Sequence, residues 1–264
     1  MSPHEIIDAR FGALIHGSAR LDHLWTGGLW CEGPAYVPAG RYLIWSDIPN
    51  DRLMRWDETD GSVSVFQTPC MNQNGHTIDR EGRLVSCEHR GRAVTRTEHD
   101  GSRTVLAAHW QGKRLNSPND VVVKSDGSVW FTDPSYGIDS EYEGDASPSE
   151  IGRRQVCGSD PAGEETMVVD DLVQPNGIAF SPDESILYVA DTGTTHDPAC
   201  IPKIRAYPLA RDGKSVGTGR TLKAVIDHLA PSGRGEFEIT DVLNHYIPDN
   251  RLFARVYEGH WTDA

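Results

Sequence analysis

An all-β fold of the β-propeller type is what this sequence predicts, and three observations carry the prediction. The first is a short phrase that returns with variations: Cys31-Glu32-Gly33-Pro34, Gln73-Asn74-Gly75-His76, Ser117-Pro118-Asn119-Asp120 and Gln174-Pro175-Asn176-Gly177. The second is its spacing. Glu32, Asn74, Asn119 and Asn176 stand 42, 45 and 57 residues apart, a period at which β-rich units build propellers or similar arrays. The third is the pattern downstream of the phrase. In the last three copies a turn comes next, at 79–82, 124–127 and 181–184, and then a strand-like run, at 83–87, 128–132 and 186–190. A propeller brings equivalent loops of successive blades to one end of its central channel. Glu32, Asn119 and Asn176, remote in sequence, are then expected to converge.

Residues 1–24 read as an N-terminal arm. In the first unit, strands are expected at 42–46, 52–57 and 62–66, separated by the turns Pro49-Asn50-Asp51 and Asp60-Gly61. The second unit repeats this at 77–79, 83–88, 93–98 and 104–107, giving four strands, the number in a propeller blade. Strands at 121–123 and 129–132 belong to the third unit. The polar stretch 138–154, rich in Gly, Ser and Pro, reads as a long loop over one end. Strands at 178–180, 187–190 and 203–208 make the fourth. No fifth copy of the phrase occurs, and beyond Gly219 the pattern changes to a mixed α/β tail. The expected division is an arm at 1–24, a propeller at 25–219 and a tail at 220–264.

Composition narrows the function. A net charge of −14 over 264 residues argues against a nucleic-acid partner, which needs a basic surface. It suits a solvated acidic face or a cation site. No apolar run is long enough to span a membrane, so no membrane partner is expected. No secretory signal is visible at the N-terminus. Five cysteines, an odd number without Cys-x-x-Cys spacing, point to reduced thiols and a cytoplasmic location, and away from a structural zinc site. The sequence leaves the oligomeric state open.

A resemblance sharpens this picture. Its carriers are Glu32-Gly33-Pro34, the run Asn116-Ser117-Pro118-Asn119-Asp120-Val121-Val122, Trp130-Phe131-Thr132-Asp133-Pro134, and Gln174 to Asp183 with Leu187 to Thr192. Residues 25–215 resemble the gluconolactonase, senescence-marker-protein (regucalcin) and luciferin-regenerating family of six-bladed propellers. The resemblance implies a divalent cation in the channel and hydrolysis of a sugar lactone or similar cyclic ester. It covers about four of six blades, so the propeller is expected to be incomplete. The family's later metal-binding aspartate has no clear match after Asn176. The tail instead resembles a sugar-1-phosphate nucleotidyltransferase fragment, through Gly235-Glu236-Phe237-Glu238-Ile239-Thr240-Asp241-Val242 and Glu258-Gly259-His260-Trp261-Thr262-Asp263-Ala264. Without a phosphate-cradling Gly-rich loop it is expected to be inert.

The expected metal ligands are Glu32, Asn119 and Asn176, an oxygen-only set suited to calcium, with magnesium or zinc as alternatives. Glu32 and Asp191 are the expected catalytic carboxylates, with Asp191 as general base. Asn74, His76, Asn119 and Arg114 are expected to contact substrate, with Arg90 as a further candidate. Asp120 and Asp133 read as loop-fixing residues, and Trp30, Trp45, Trp56 and Trp130 as blade packing. The leading expectation is a metal-dependent, gluconolactonase-like hydrolase. The alternative is a calcium- or ligand-binding propeller without catalysis.

Overall fold

The computed structural model describes residues 22–221. The nucleotidyltransferase-like tail, from 222 onwards, and most of the expected arm lie outside them. The described residues fold into four four-stranded antiparallel sheets, each a simple meander. Blade 1 is β1 (Cys31–Val37), β2 (Tyr42–Asp47), β3 (Arg52–Asp57) and β4 (Val63–Gln67). Blade 2 is β5 (Gln73–Ile78), β6 (Leu84–Glu88), β7 (Ala93–Thr97) and β8 (Arg103–Ala107). A short hairpin, β9 (His109–Trp110) and β10 (Lys113–Arg114), leads to blade 3: β11 (Val121–Val123), β12 (Val129–Asp133), β13 (Gln155–Ser159) and β14 (Glu165–Val169). Blade 4 is β15 (Pro175–Phe180), β16 (Ile186–Asp191), β17 (Lys203–Pro208) and β18 (Arg220–Thr221). The single α-helix among the described residues, α1 (Tyr136–Asp139), is one turn long.

Side chains alternate across each strand, and here both faces of a blade are used. On β12, Phe131 packs with Val85, Cys87 and Val94 of blade 2. Its neighbour Trp130 points the other way, onto Ile178, Leu187 and Val189 of blade 4. Val37, Ile44 and Leu53 meet Cys70, Ile78 and Leu84 between blades 1 and 2. Such strands are near-continuously apolar because no face is left for water; all of β12 is buried.

The sequence pattern places the second strand of every blade and the third of blades 1, 2 and 4; it misses β1, catches only the ends of β5 and β15, finds β11, and misses β13 and β14. Gly, Pro and Asn mark the recurring phrase as a turn. In the fold, three of the four phrases lie inside the innermost strand, as β-bulges. Register shifts fall between Glu32 and Ala35, between Gln73 and His76, and between Pro175 and Ile178. A bulge interrupts the ladder and turns side chains aside: Asn74 and Asn176 fall within the bulges, while Glu32, still paired with Ser46, stands at the edge of one. Trp30 also departs from expectation: it is 42% exposed rather than packed in a blade.

Candidate active site

A carboxylate at the end of a second strand positions each phrase. Asp47, the last residue of β2, accepts the backbone N–H groups of Leu29 (2.9 Å) and Trp30 (3.4 Å). Asp133, the last of β12, accepts those of Asn116 (3.0 Å) and Ser117 (2.9 Å). Asp191, the last of β16, accepts those of Val173 (3.2 Å) and Gln174 (2.9 Å). Blade 2 ends β6 in Glu88 instead, and there Asp51 takes the N–H groups of Cys70 (3.0 Å) and Asn72 (2.7 Å). The residue two beyond the last clamped amide is Glu32, Asn119, Asn176 and Asn74 in turn. Four remote residues thus share one structural position.

Neighbouring phrases are stitched to one another. Gly33 has φ +58°, and a Cβ there would lie 2.0 Å from the carbonyl oxygen of Asn74. The Gly75 N–H donates to the carbonyl oxygen of Asn119 at 2.7 Å, and a Cβ at Gly75 would lie 2.5 Å from that oxygen. The Thr132 hydroxyl donates to the carbonyl oxygen of Asn176 at 2.7 Å. Glycine is required where backbones pass this closely. The four positions succeed one another around the channel in chain order.

The electrostatics at this end are acidic. Burial, and then the charge of Asp120, push the Glu32 carboxyl up to about 7. Burial raises Asp120 to about 6, against the N–H groups of Ile178 and Val121 that bind its two oxygens. Glu143, from the 138–154 loop, is raised to about 6 by burial and by Asp139, and adds to the field on Glu32. Among the described residues neither Glu32 nor Asp120 has an ion-pair partner. Two desolvated carboxylates without a counter-charge, with the amides of Asn119 and Asn176 at the equivalent blade positions, are oxygen groups of the kind a hard divalent cation takes, although among the described residues no group of three or more His, Cys, Asp or Glu is placed to hold a metal ion.

The remaining expected residues fall differently. Asn74 shares the equivalent position, with its Nδ2 3.2 Å from His89 Nε2. Burial holds His89 neutral, lowered to about 4. Its Nδ1–H donates to the Glu143 carbonyl oxygen at 3.2 Å, so Nε2 accepts from the Asn74 amide. His76 is buried between the Ser46 and Ser86 hydroxyls, 2.8 Å from each. It bridges blades 1 and 2 and is not aimed at a substrate. Arg114 is exposed on β10, and among the described residues its guanidinium makes no hydrogen bond or ion pair. Arg90 is spent on ion pairs with Asp51 and Asp145. Asp191 departs most from its expected role. Both oxygens accept backbone N–H groups, that of Gly193 included, and Lys203 Nζ lies 3.2 Å away. These four contacts make it a loop clamp. Asp133 is its counterpart, as expected. Asp120, by contrast, stands beside Glu32.

Sequence reasoning missed His89, Glu143 and Tyr136. His89 and Thr192 are equivalent: each directly succeeds the last residue of a second strand and meets the side-chain amide of its own blade. That position was the readable signal. Glu143 had none, because a loop carboxylate has no periodic pattern.

Comparison with known proteins agrees with this architecture. The profile of the family described as "SMP-30/Gluconolactonase/LRE-like region" matches residues 30–233, ending within the segment assigned to the tail. A gluconolactonase of Zymomonas mobilis is 30% identical over 227 residues, covering 81% of this chain and 61% of that protein. The lactonohydrolase oryL of Aspergillus oryzae is 32% identical over 252 residues, covering 88% and 56%. The solved structure of XC5397 from Xanthomonas campestris, described as a gluconolactonase, superposes with a TM-score of 0.68 at 40% identity, covering 75% of this chain and 64% of that one. This chain therefore spans about three-fifths of the length of the curated relatives it matches. On the profile match and the shared propeller architecture, the chain belongs to the SMP-30/gluconolactonase/LRE-like family.

Proposed function

We propose that this chain hydrolyses a sugar lactone at the Glu32–Asn119–Asn176 site with the help of a divalent cation, calcium in the first instance. The observation that supports the reading is that Glu32, Asn119 and Asn176 hold equivalent positions in three blades, with a second carboxylate, Asp120, whose charge acts on Glu32 and which has no ion-pair partner among the described residues. The names of the gluconolactonase and lactonohydrolase relatives support a cyclic ester as substrate. A cation bound there supplies Lewis acidity, polarising the lactone carbonyl and making a water more acidic.

The chain's own residues would do the rest. Glu32, Asn119 and Asn176 hold the cation through oxygen. Asn74, its amide anchored on His89, offers its carbonyl oxygen to a substrate hydroxyl. In place of Asp191, Asp120 is the carboxylate we assign to receive the proton of the attacking water. The water oxygen bonds to the carbonyl carbon and the bond from that carbon to the ring oxygen breaks. The ring oxygen takes up a proton and the new acid ionises. Removing the charged ligand by Glu32→Gln is expected to lower turnover of glucono-1,5-lactone by about 10²-fold or more and to abolish calcium binding in titration calorimetry. A Glu32→Gln enzyme with wild-type turnover contradicts the assignment. Calcium binding by the wild type without hydrolysis favours the non-catalytic alternative.

A further inference from the structure

The rim of the channel beside Asn176 carries a cluster that the reaction above does not use. Tyr136 opens α1, four residues before Ser140; Thr192, Thr195 and His196 come from the segment after β16. The Tyr136 hydroxyl lies 2.6 Å from Thr192 Oγ1 and 3.3 Å from Thr195 Oγ1, beside the Asn176 side chain. The Asn176 Nδ2 donates to Thr192 Oγ1 at 3.3 Å. On the outer side, His196 packs edge-on against the Tyr136 ring, centroids 5.4 Å apart. His196 is itself fixed by Asp139 (2.6 Å from Nε2) and by Thr195 Oγ1 (2.8 Å from Nδ1).

One set of donors and acceptors satisfies this cluster. The Thr192 hydroxyl donates to the Gln174 carbonyl oxygen. Its lone pairs then accept from Tyr136 O–H and from Asn176. With its hydrogen committed to Thr192, the Tyr136 hydroxyl fixes the oxygen that receives the Asn176 N–H. The amide nitrogen of Asn176 is thus held on the rim side, which leaves its oxygen Oδ1 outside the Thr192 contact. In blade 2 the Asn74 amide nitrogen is likewise held from behind, by His89 Nε2 at 3.2 Å.

We propose that Tyr136 is a positioning residue: with Thr192 it locks the Asn176 amide so that its oxygen, not its nitrogen, is presented to the ligand. This rests on the reading that Asn176 is a ligand of the site. Partners of this kind that orient a ligand from behind change metal affinity by about 10–100-fold.

The test is Tyr136→Phe, which keeps the ring and its contact with His196 and removes only the hydroxyl. Two readouts are needed: calcium affinity by calorimetry, and the side-chain amide resonances of Asn176 in ¹H–¹⁵N spectra of the protein without added metal. The expected result is a shift of the Asn176 amide pair, calcium affinity weakened about tenfold, and an unchanged thermal midpoint. Thr192→Val is expected to act in the same direction. Unmoved amide resonances, or wild-type calcium affinity in Tyr136→Phe, overturn the proposal. If the wild type takes up no calcium, the functional reading of the site falls, and the amide resonances alone decide whether Tyr136 positions Asn176.

Discussion

Gly33 shows how little freedom the site residues have. Its φ of +58° is the left-handed region, which costs a residue with a Cβ about 1–2 kcal/mol, and that Cβ would collide with the Asn74 carbonyl. Gly33→Ala is therefore expected to lower the thermal midpoint by at least several degrees, at about 2–4 °C per kcal/mol for a domain of this size. An unchanged midpoint would mean that blades 1 and 2 are not locked at this point. The sequence made Glu32, Asn119 and Asn176 legible as a set because their phrases repeat. It could not separate the roles of Asp191 and Asp120, since both are aspartates close to a repeated phrase. Only the fold shows that Asp191 spends its oxygens on Val173, Gln174, Gly193 and Lys203, whereas Asp120 accepts one N–H on each oxygen, has no ion-pair partner among the described residues, and acts by its charge on Glu32.

At the level of the element, the repeated unit is a strand-end carboxylate clamping the loop that precedes the innermost strand. Replacing one clamp oxygen by an amide nitrogen sets donor against donor, and a buried unsatisfied N–H costs about 1–3 kcal/mol. Asp191→Asn is expected to lower stability by that amount, with any loss of turnover arising from displacement of Asn176. If Asp191→Asn instead kept its thermal midpoint and lost turnover outright, Asp191 would be the proton acceptor and the assignment to Asp120 would be wrong. The same element explains what was readable. Central strands such as β12 and β16 announce themselves by apolar runs. The innermost strands carry Gly, Pro and Asn because they bulge and pass close to neighbouring backbones, so they look like turns. β13 and β14 lay hidden behind the polar 138–154 loop, whose contacts with His89 and Arg90 are long-range and leave no periodic trace.

Across the whole molecule, the blades are joined by buried polar bridges as well as by apolar faces, and this sets an acid limit. His76 is held neutral by burial, lowered to about 3, and His89 to about 4. The unfolded chain binds protons at both below about 6.5, while the folded chain resists until those lower values. Their contribution is thus complete above about 6.5 and is lost as the pH falls towards 3–4, by up to a few kcal/mol. Denaturant melts at stepped pH are expected to show stability falling steadily over that window, with a shallower slope in His76→Gln. An identical slope in that variant would show that His76 does not set the limit. The propeller class was legible from the spacing of the phrase alone, because four units of similar length can bury both faces of each sheet only by stacking around an axis. Whether the ring of Glu32, Asn119 and Asn176 is a metal-assisted lactonase site is decided by proton release from glucono-1,5-lactone with calcium, with zinc and with chelator, for the wild type beside Glu32→Gln. The expected result is metal-dependent hydrolysis above the spontaneous rate that chelator removes and Glu32→Gln lacks; hydrolysis that is indifferent to chelator and to Glu32 would contradict the assignment.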